Sequence, residues 1–289
     1  MGGVQVRMES TLARVLPPAV SVPARLHEAM RYAVLEGGKR VRPLLCFAAG
    51  ELTGAAPARL EIAGAAVELI HAYSLAHDDM PCMDDDVLRR GKPTVHVEFD
   101  QATALLAGDA LQSLAFQLLS ETRLADSPAA QLAMVKALAL ASGSRGMAGG
   151  QAIDLASTGK PLTLPELEFM HIHKTGALIR AAVVLGANCG TPLDERAAES
   201  LDRFAKCVGL AFQVVDDALD CDANTATLGK TAGKDATQGK ATYVSALGLA
   251  PAREFAEDLR LQAHTALEGF GLQAARLREL ADFIVLRKF

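Results

Sequence analysis

Tryptophan is absent, and only 4% of the residues are aromatic. With so few rings, and almost no alternation of Val, Ile and Thr with polar residues, the sequence offers little from which to build half-buried strands. Basic charge is not in excess either: the formal net charge is -5 and the pI is near 5.8. Without a basic field, nucleic acid is not an expected partner. The five cysteines, Cys46, Cys82, Cys189, Cys207 and Cys221, are scattered, with neither CxxC spacing nor a neighbouring histidine pair. They read as reduced thiols in a cytoplasmic protein. Long apolar runs are missing too. Stretches such as Ala181 to Leu185 fall well short of the roughly 20 residues that cross a bilayer, so no membrane span is expected. Residues Met1 to Leu16 carry Arg7, Glu9 and Arg14 and lack the apolar core of a secretory signal.

What is present is alanine, leucine and helical periodicity, in a chain of 289 residues of which half are hydrophobic. Apolar and small residues recur at three and four spacing through Leu60 to Ala76, Ala102 to Leu119, Gln131 to Ala141, Ala177 to Ala187, Ala197 to Val215 and Pro251 to Leu267. The pattern predicts an all-α protein with six or more core helices. Breaks are expected at Gly37-Gly38, Gly54 with Pro57, Gly91 with Pro93, Ser127-Pro128, Gly149-Gly150, Gly159 with Pro161, Gly190 with Pro192, and from Gly229 through Gly239. None is a long polar linker, and no fixed-period repeat is present, so a single domain over residues 1–289 is the simpler count.

Two acidic clusters stand at the polar ends of apolar runs. In the first, Asp78, Asp79, Asp84, Asp85 and Asp86 place five carboxylates within nine residues. The second holds Asp216, Asp217 and Asp220. Mutual repulsion makes such groups costly without cations. On a helix, Asp216 and Asp220 project from one face about 6 Å apart along the axis. The first cluster is less regular, because Pro81 disturbs helical hydrogen bonding and Asp85 aligns with Asp78 better than Asp84 does. Spacing alone leaves open whether Asp84 or Asp85 joins Asp78. Oxygen-only sites without His or Cys suit Mg²⁺, which keeps positions for water and substrate phosphates.

Basic groups are compact: Lys39, Arg40 and Arg42 after Gly37-Gly38; Arg89, Arg90 and Lys92 around Gly91; His173 and Lys174 before Thr175; then Lys230, Lys234 and Lys240. Cations beside glycines at turns have the parts to clamp phosphate oxygens. With these segments in view, the sequence resembles the trans-isoprenyl diphosphate synthases, above all the bacterial farnesyl-producing members. The likeness runs from GGKRVRP through HAYSLAHDDMPCMDDDVLRRGKPTVH, LLAGDALQ, GGQAIDL, HKTGALIRAA, GLAFQVVDDALD, TATLGK and GKATYVSALG to the terminal LADFIVLRKF.

The resemblance implies a bundle of about ten or more helices around a central cavity, the isoprenoid synthase fold, in a homodimer. It implies that Asp78 and Asp84 bind metal with Asp79 in support, and that Asp216, Asp217 and Asp220 form the second metal site. Three Mg²⁺ ions are implied, with Mn²⁺ a possible substitute. Arg89, Lys174, Thr175, Gln213, Lys230 and Lys240 are then expected at the allylic diphosphate. Lys39, Arg42, His71 and Arg90 are expected at isopentenyl diphosphate, while His77 packs. Lys234 has no counterpart, and Asn224 stands where many relatives carry an aspartate.

The implied reaction is loss of diphosphate from dimethylallyl or geranyl diphosphate, attack by the double bond of isopentenyl diphosphate, and loss of a proton to the released diphosphate. Product length is expected to depend on Tyr73 and Ser74, about 7.5 and 6 Å of helix rise below Asp78. In the family, an aromatic residue at the position of Tyr73, with two extra residues such as Pro81-Cys82, accompanies a farnesyl product. A geranylgeranyl or geranyl diphosphate synthase would share every charged motif. A terpene cyclase needs no second diphosphate site, which Lys39 and Arg42 supply. A non-catalytic synthase subunit usually shows eroded aspartates, and both clusters are intact here.

Overall fold

The computed structural model describes residues 1–160, 162–222 and 240–287. Asn224, Lys230 and Lys234 lie outside the described residues. The chain begins with α1 (Gly2–Val15), α2 (Ala24–Val34), α3 (Val41–Leu52), α4 (Pro57–Asp78), the short α5 (Val95–Glu98) and α6 (Gln101–Glu121). There follow α7 (Pro128–Ser142), α8 (Met147–Ser157), α9 (Leu164–His171), a π-helical turn (Ile172–Gly176) and α10 (Ala177–Asn188). Then come α11 (Glu195–Asp222), α12 (Tyr243–Leu247), α13 (Leu249–Ala266) and α14 (Ala275–Leu286). All six periodic segments are helices, namely α4, α6, α7, α10, α11 and α13.

Their starts follow local chemistry. Asp100 caps α6 by accepting from the Thr103 amide at 2.7 Å, and Ser127 caps α7 by accepting from Ala130 at 3.1 Å. Pro57 and Pro128 stand in first turns, where the missing N–H removes no helical bond. Thr163 and Glu166 form a capping box at α9. α10 is buried at Leu178, Ile179, Ala182, Val183 and Leu185, and it packs against α3, α4, α7 and α11. A Cβ on Gly186 would lie 2.0 Å from the Cys46 carbonyl oxygen, so α10 and α3 touch backbone to backbone. Each fully buried leucine, such as Leu45 or Leu69, contributes about 2 kcal/mol of burial.

The expected break at Gly149-Gly150 is not one: both lie inside α8. Their smallness serves packing instead. A Cβ on Gly150 would sit 2.1 Å from the Lys174 amide nitrogen, and one on Gly149 would sit 2.1 Å from the Ser144 carbonyl oxygen. The chain turns earlier, at residues 143–146. α6 is long and apolar enough to cross a membrane by length and composition, although Asp109 and Gln112 interrupt any continuous run. One face of α6 packs on α4, while Leu105 and Leu106 remain exposed.

Strand structure among the described residues is one hairpin, Leu88–Arg89 with Lys92–Pro93. Its turn residues, Arg90 and Gly91, have φ of 55° and 77°. Two successive left-handed residues match the twist of a tight hairpin, and a non-glycine there carries local strain.

Candidate active site

The first aspartate cluster is shaped by a loop rather than by helical spacing. α4 ends at Asp78, so Pro81 falls beyond it and breaks no helical bond. The chain then folds back: the Asp84 amide donates to the Asp78 carbonyl at 2.8 Å, and the Asp86 amide to the Asp79 carbonyl at 3.1 Å. Asp84 is thereby brought beside Asp78, while Asp85 is exposed with φ of 50°. Burial pushes the Asp78 carboxyl up to about 6; the Lys174 ammonium opposes the shift and the Asp84 carboxylate adds to it. Lys240 Nζ donates to Asp84 Oδ1 at 2.8 Å, tying the last third of the chain to this cluster. Asp79 is buried and holds Arg89 bidentately, at 2.8 and 2.9 Å from Nε and 2.5 Å from Nη2. Arg89, expected at a diphosphate, is therefore oriented by a carboxylate behind it.

The second cluster lies on the last turns of α11. Asp216 accepts from Arg287, whose guanidinium also stacks 4.2 Å over the Phe212 ring. Asp217 is buried: Oδ1 accepts from Gln213 Nε2 at 2.8 Å and Oδ2 from the Tyr243 amide at 2.7 Å. Gln213 Oε1 in turn accepts from the Thr175 hydroxyl at 3.0 Å. Thr175 and Lys174 sit on the π-helical turn between α9 and α10, a feature that often marks a functional site. Lys174 Nζ donates to Asp154 Oδ2 at 2.5 Å. Asp220 is 9% exposed, one turn beyond Asp216.

Two adjoining cavities serve these clusters. One, of about 320 Å³, is lined by Asp78, Lys174, Thr175 and Gln151 and runs down to Tyr73 and Ser74. The other, of about 410 Å³, is lined by Lys39, Arg90, Phe212, Asp216 and Arg287. Arg42 and His71 line both. Arg42 Nε is buried without a hydrogen-bond partner among the described residues, a donor left for an anion. Burial, with Arg42 and Arg90 close by, holds the His71 imidazole well below its ordinary range, so it is neutral. Burial and Arg287 push the Lys39 ammonium down, against the pull of Asp216.

Tyr73 is 8% exposed and meets the His77 ring edge-on at 5.6 Å. His77 Nε2 lies 2.9 Å from the Leu105 carbonyl oxygen, and a Cβ on Gly108 would approach that nitrogen to 2.0 Å. The ring at the cavity floor is thus backed by α6. Of the expected site residues, Lys230 lies outside the described residues. Asp154, Gln151 and Arg287 were not foreseen, although GGQAIDL and the terminal LRKF contain them.

His171, at the end of α9, stacks on Tyr243 with ring centroids 5.4 Å apart. Burial, helped by Lys174, pushes its imidazole down to about 4, from an ordinary value of 6.5. Between those values only the unfolded chain takes the proton, so stability is expected to fall by about 3 kcal/mol as pH drops through that window. His171→Phe removes that loss. Urea midpoints at neutral pH and at about pH 5 measure it; identical pH dependence in both proteins would count against the assignment.

An all-α shell around a cavity with two aspartate clusters and a basic wall defines a diphosphate-handling helical enzyme. The sequence model of the polyprenyl synthetase family matches residues 23–268, and the chain belongs to that family. A farnesyl diphosphate synthase of Haemophilus influenzae is 48% identical over 286 residues, covering 99% of this chain and 96% of its own. Geranylgeranyl pyrophosphate synthase 11 of Arabidopsis chloroplasts is 50% identical over 272 residues, 92% of this chain and 75% of its own. The solved apo structure of an FPP/GFPP synthase from Zymomonas mobilis is 44% identical and superposes with a TM-score of 0.90, over 99% of this chain and 97% of that one. The fold is that of the isoprenyl diphosphate synthases.

Proposed function

We propose that the chain, as one polyprenyl synthase domain, joins isopentenyl diphosphate head to tail to dimethylallyl and then geranyl diphosphate, releasing farnesyl diphosphate. The observation that carries this reading is the wall of Arg42 and His71 between two cavities, one reaching Asp78 and the other Asp216. Two diphosphates can meet there. The oxygen-only donors fit Mg²⁺, and a buried Asp78 carboxyl pushed up to about 6 is short of compensating positive charge. Asp78 and Asp84 on one side, and Asp216 and Asp220 on the other, would hold the metal. Asp79 and Asp217, engaged with Arg89 and with Gln213 and Tyr243, stand behind them. Bound Mg²⁺ supplies neutralisation of the charge that grows on the leaving diphosphate.

The chain's own residues do the rest. Lys174, Lys240 and Arg89 take oxygens of the allylic diphosphate; Lys39, Arg42, Arg90 and neutral His71 hold isopentenyl diphosphate. The allylic C–O bond breaks, the isopentenyl double bond attacks the freed carbon, and the released diphosphate removes the proton. Thr175 and Gln213 present hydroxyl and amide groups, which steady a cation without capturing it, and the apolar shaft excludes water. The competing reading is a product of twenty carbons, which the Arabidopsis relative favours; the buried Tyr73 ring on the shaft floor weighs for fifteen.

We place the enzyme in the cytoplasm, as a homodimer whose contact includes the exposed apolar residues Leu105 and Leu106 of α6. The purified chain is expected to sediment at twice its 30.4 kDa mass. With isopentenyl and labelled geranyl diphosphates and Mg²⁺ it is expected to yield farnesol after dephosphorylation, and nothing after chelation. Condensation that survives chelation, or none at all with Mg²⁺, would refute the reading.

A further inference from the structure

We infer that α1 is a strut for the loop that grips isopentenyl diphosphate, and that Glu9 and Gln5 set affinity for that substrate without touching it. The loop between α2 and α3 carries three left-handed residues, Glu36, Gly38 and Arg40, with φ of 60°, 88° and 53°. Two are not glycine, so the conformation persists only where its surroundings fix it. α1 supplies the fixing contacts. Glu9 Oε1 accepts from the Glu36 amide at 2.6 Å, and Glu9 Oε2 accepts from Arg40 Nη2 at 2.9 Å. Gln5 Nε2 donates to the Lys39 carbonyl at 3.0 Å.

Arg40 completes the brace from inside. It donates to Glu68 Oε1 at 2.7 Å and to the Val34 carbonyl at 2.6 Å, and its side chain is 3% exposed. Arg40 holds its guanidinium against Glu68 at the cavity edge, and Lys39 and Arg42 line the cavity on either side of it in sequence. Gly37 and Gly38 complete the wall by leaving room for the Arg90 guanidinium, which would be 2.7 Å from a Cβ on Gly38. Loss of the Glu9 carboxylate therefore frees the Glu36 amide, leaves Arg40 to Glu68 and Val34 alone, and so loosens the spacing of three cations. α1 itself is anchored by Met8, Thr11 and Leu12, which are buried.

The inference rests on the assignment of this cavity to isopentenyl diphosphate, and steady-state kinetics on the full chain separate the two. Lys39→Ala tests the cavity; Glu9→Gln and Gln5→Ala, singly and together, test the strut. The Michaelis constant for isopentenyl diphosphate is expected to rise about five- to twenty-fold in Glu9→Gln and about two- to five-fold in Gln5→Ala. That for geranyl diphosphate and the turnover number stay within about twofold. If Lys39→Ala raises the isopentenyl constant and neither strut variant does, the strut is wrong. An unchanged constant in Lys39→Ala overturns the cavity assignment and the strut with it. Equal changes for both substrates, with a lowered Tm, would reduce Glu9 to a general structural role and also overturn the inference. Should Glu9→Gln fail to fold, Gln5→Ala, which removes one hydrogen bond, decides alone.

Discussion

Asp78→Ala is expected to lower turnover by about 10³-fold or more, with the helices intact. Asp78 ends the helix that forms the shaft wall, and its carboxylate has Asp84 beside it and Lys174 across the cavity. On the proposed reaction, removing it withdraws an oxygen donor where charge develops on the leaving group, an interaction strengthened in the transition state. Asp216→Ala is expected to act similarly from the opposite side, and there it also releases Arg287. A stability measurement distinguishes lost chemistry from lost fold, because the sign at Asp78 is unusual. Its carboxyl is raised from 3.8 to about 6, so the ionised form disfavours the metal-free fold by about 3 kcal/mol above that range. The penalty is absent below 3.8 and fully present above about 6. Asp78→Asn is therefore expected to unfold at a higher temperature than the metal-free parent near neutral pH, with the gap closing in acid. Near-normal Mg²⁺-dependent turnover in the alanine variant would remove Asp78 from the site.

Tyr73→Ala is expected to change what is made rather than how fast. In the reaction proposed above the growing tail extends from the aspartates down the shaft toward the Tyr73 ring, which lines the cavity and is braced by His77 and by the close approach of Gly108. Truncation to alanine opens a cavity large enough for another isoprene unit, at a stability cost of about 3 kcal/mol. Chromatography of the dephosphorylated products is expected to show a shift from fifteen carbons to twenty and beyond. An active variant that still stops at fifteen would place the floor elsewhere.

Much of this was legible in the residues, and the failures have physical reasons. The repeats of three and four through α4 and α11 located both helices and put Asp216 and Asp220 one turn apart on one face. The first cluster resisted the same treatment because residues 80–86 fold back through backbone hydrogen bonds that side-chain spacing does not encode. That fold-back explains why Asp84, rather than the helically aligned Asp85, lies beside Asp78. Gly149 and Gly150 misled because a small residue marks either a break or a close approach, and only the neighbour decides. That neighbour is the Lys174 backbone for Gly150 and the Ser144 carbonyl for Gly149. Arg287 and Asp154 were invisible as site residues because their roles come from partners far away in sequence, Asp216 and Lys174.

In the reaction proposed above, the common wall of Arg42 and His71 gives the charged end of the two cavities and the shaft floor different freedom to vary. Near the charged end, any substitution is felt by both reactants at once, so drift there is held back from two directions. The shaft floor, at Tyr73 and Ser74, is there the place of one reactant's hydrocarbon only. A lineage can therefore retune the size of what it makes at the bottom of the shaft and leave the bond-forming apparatus as it was.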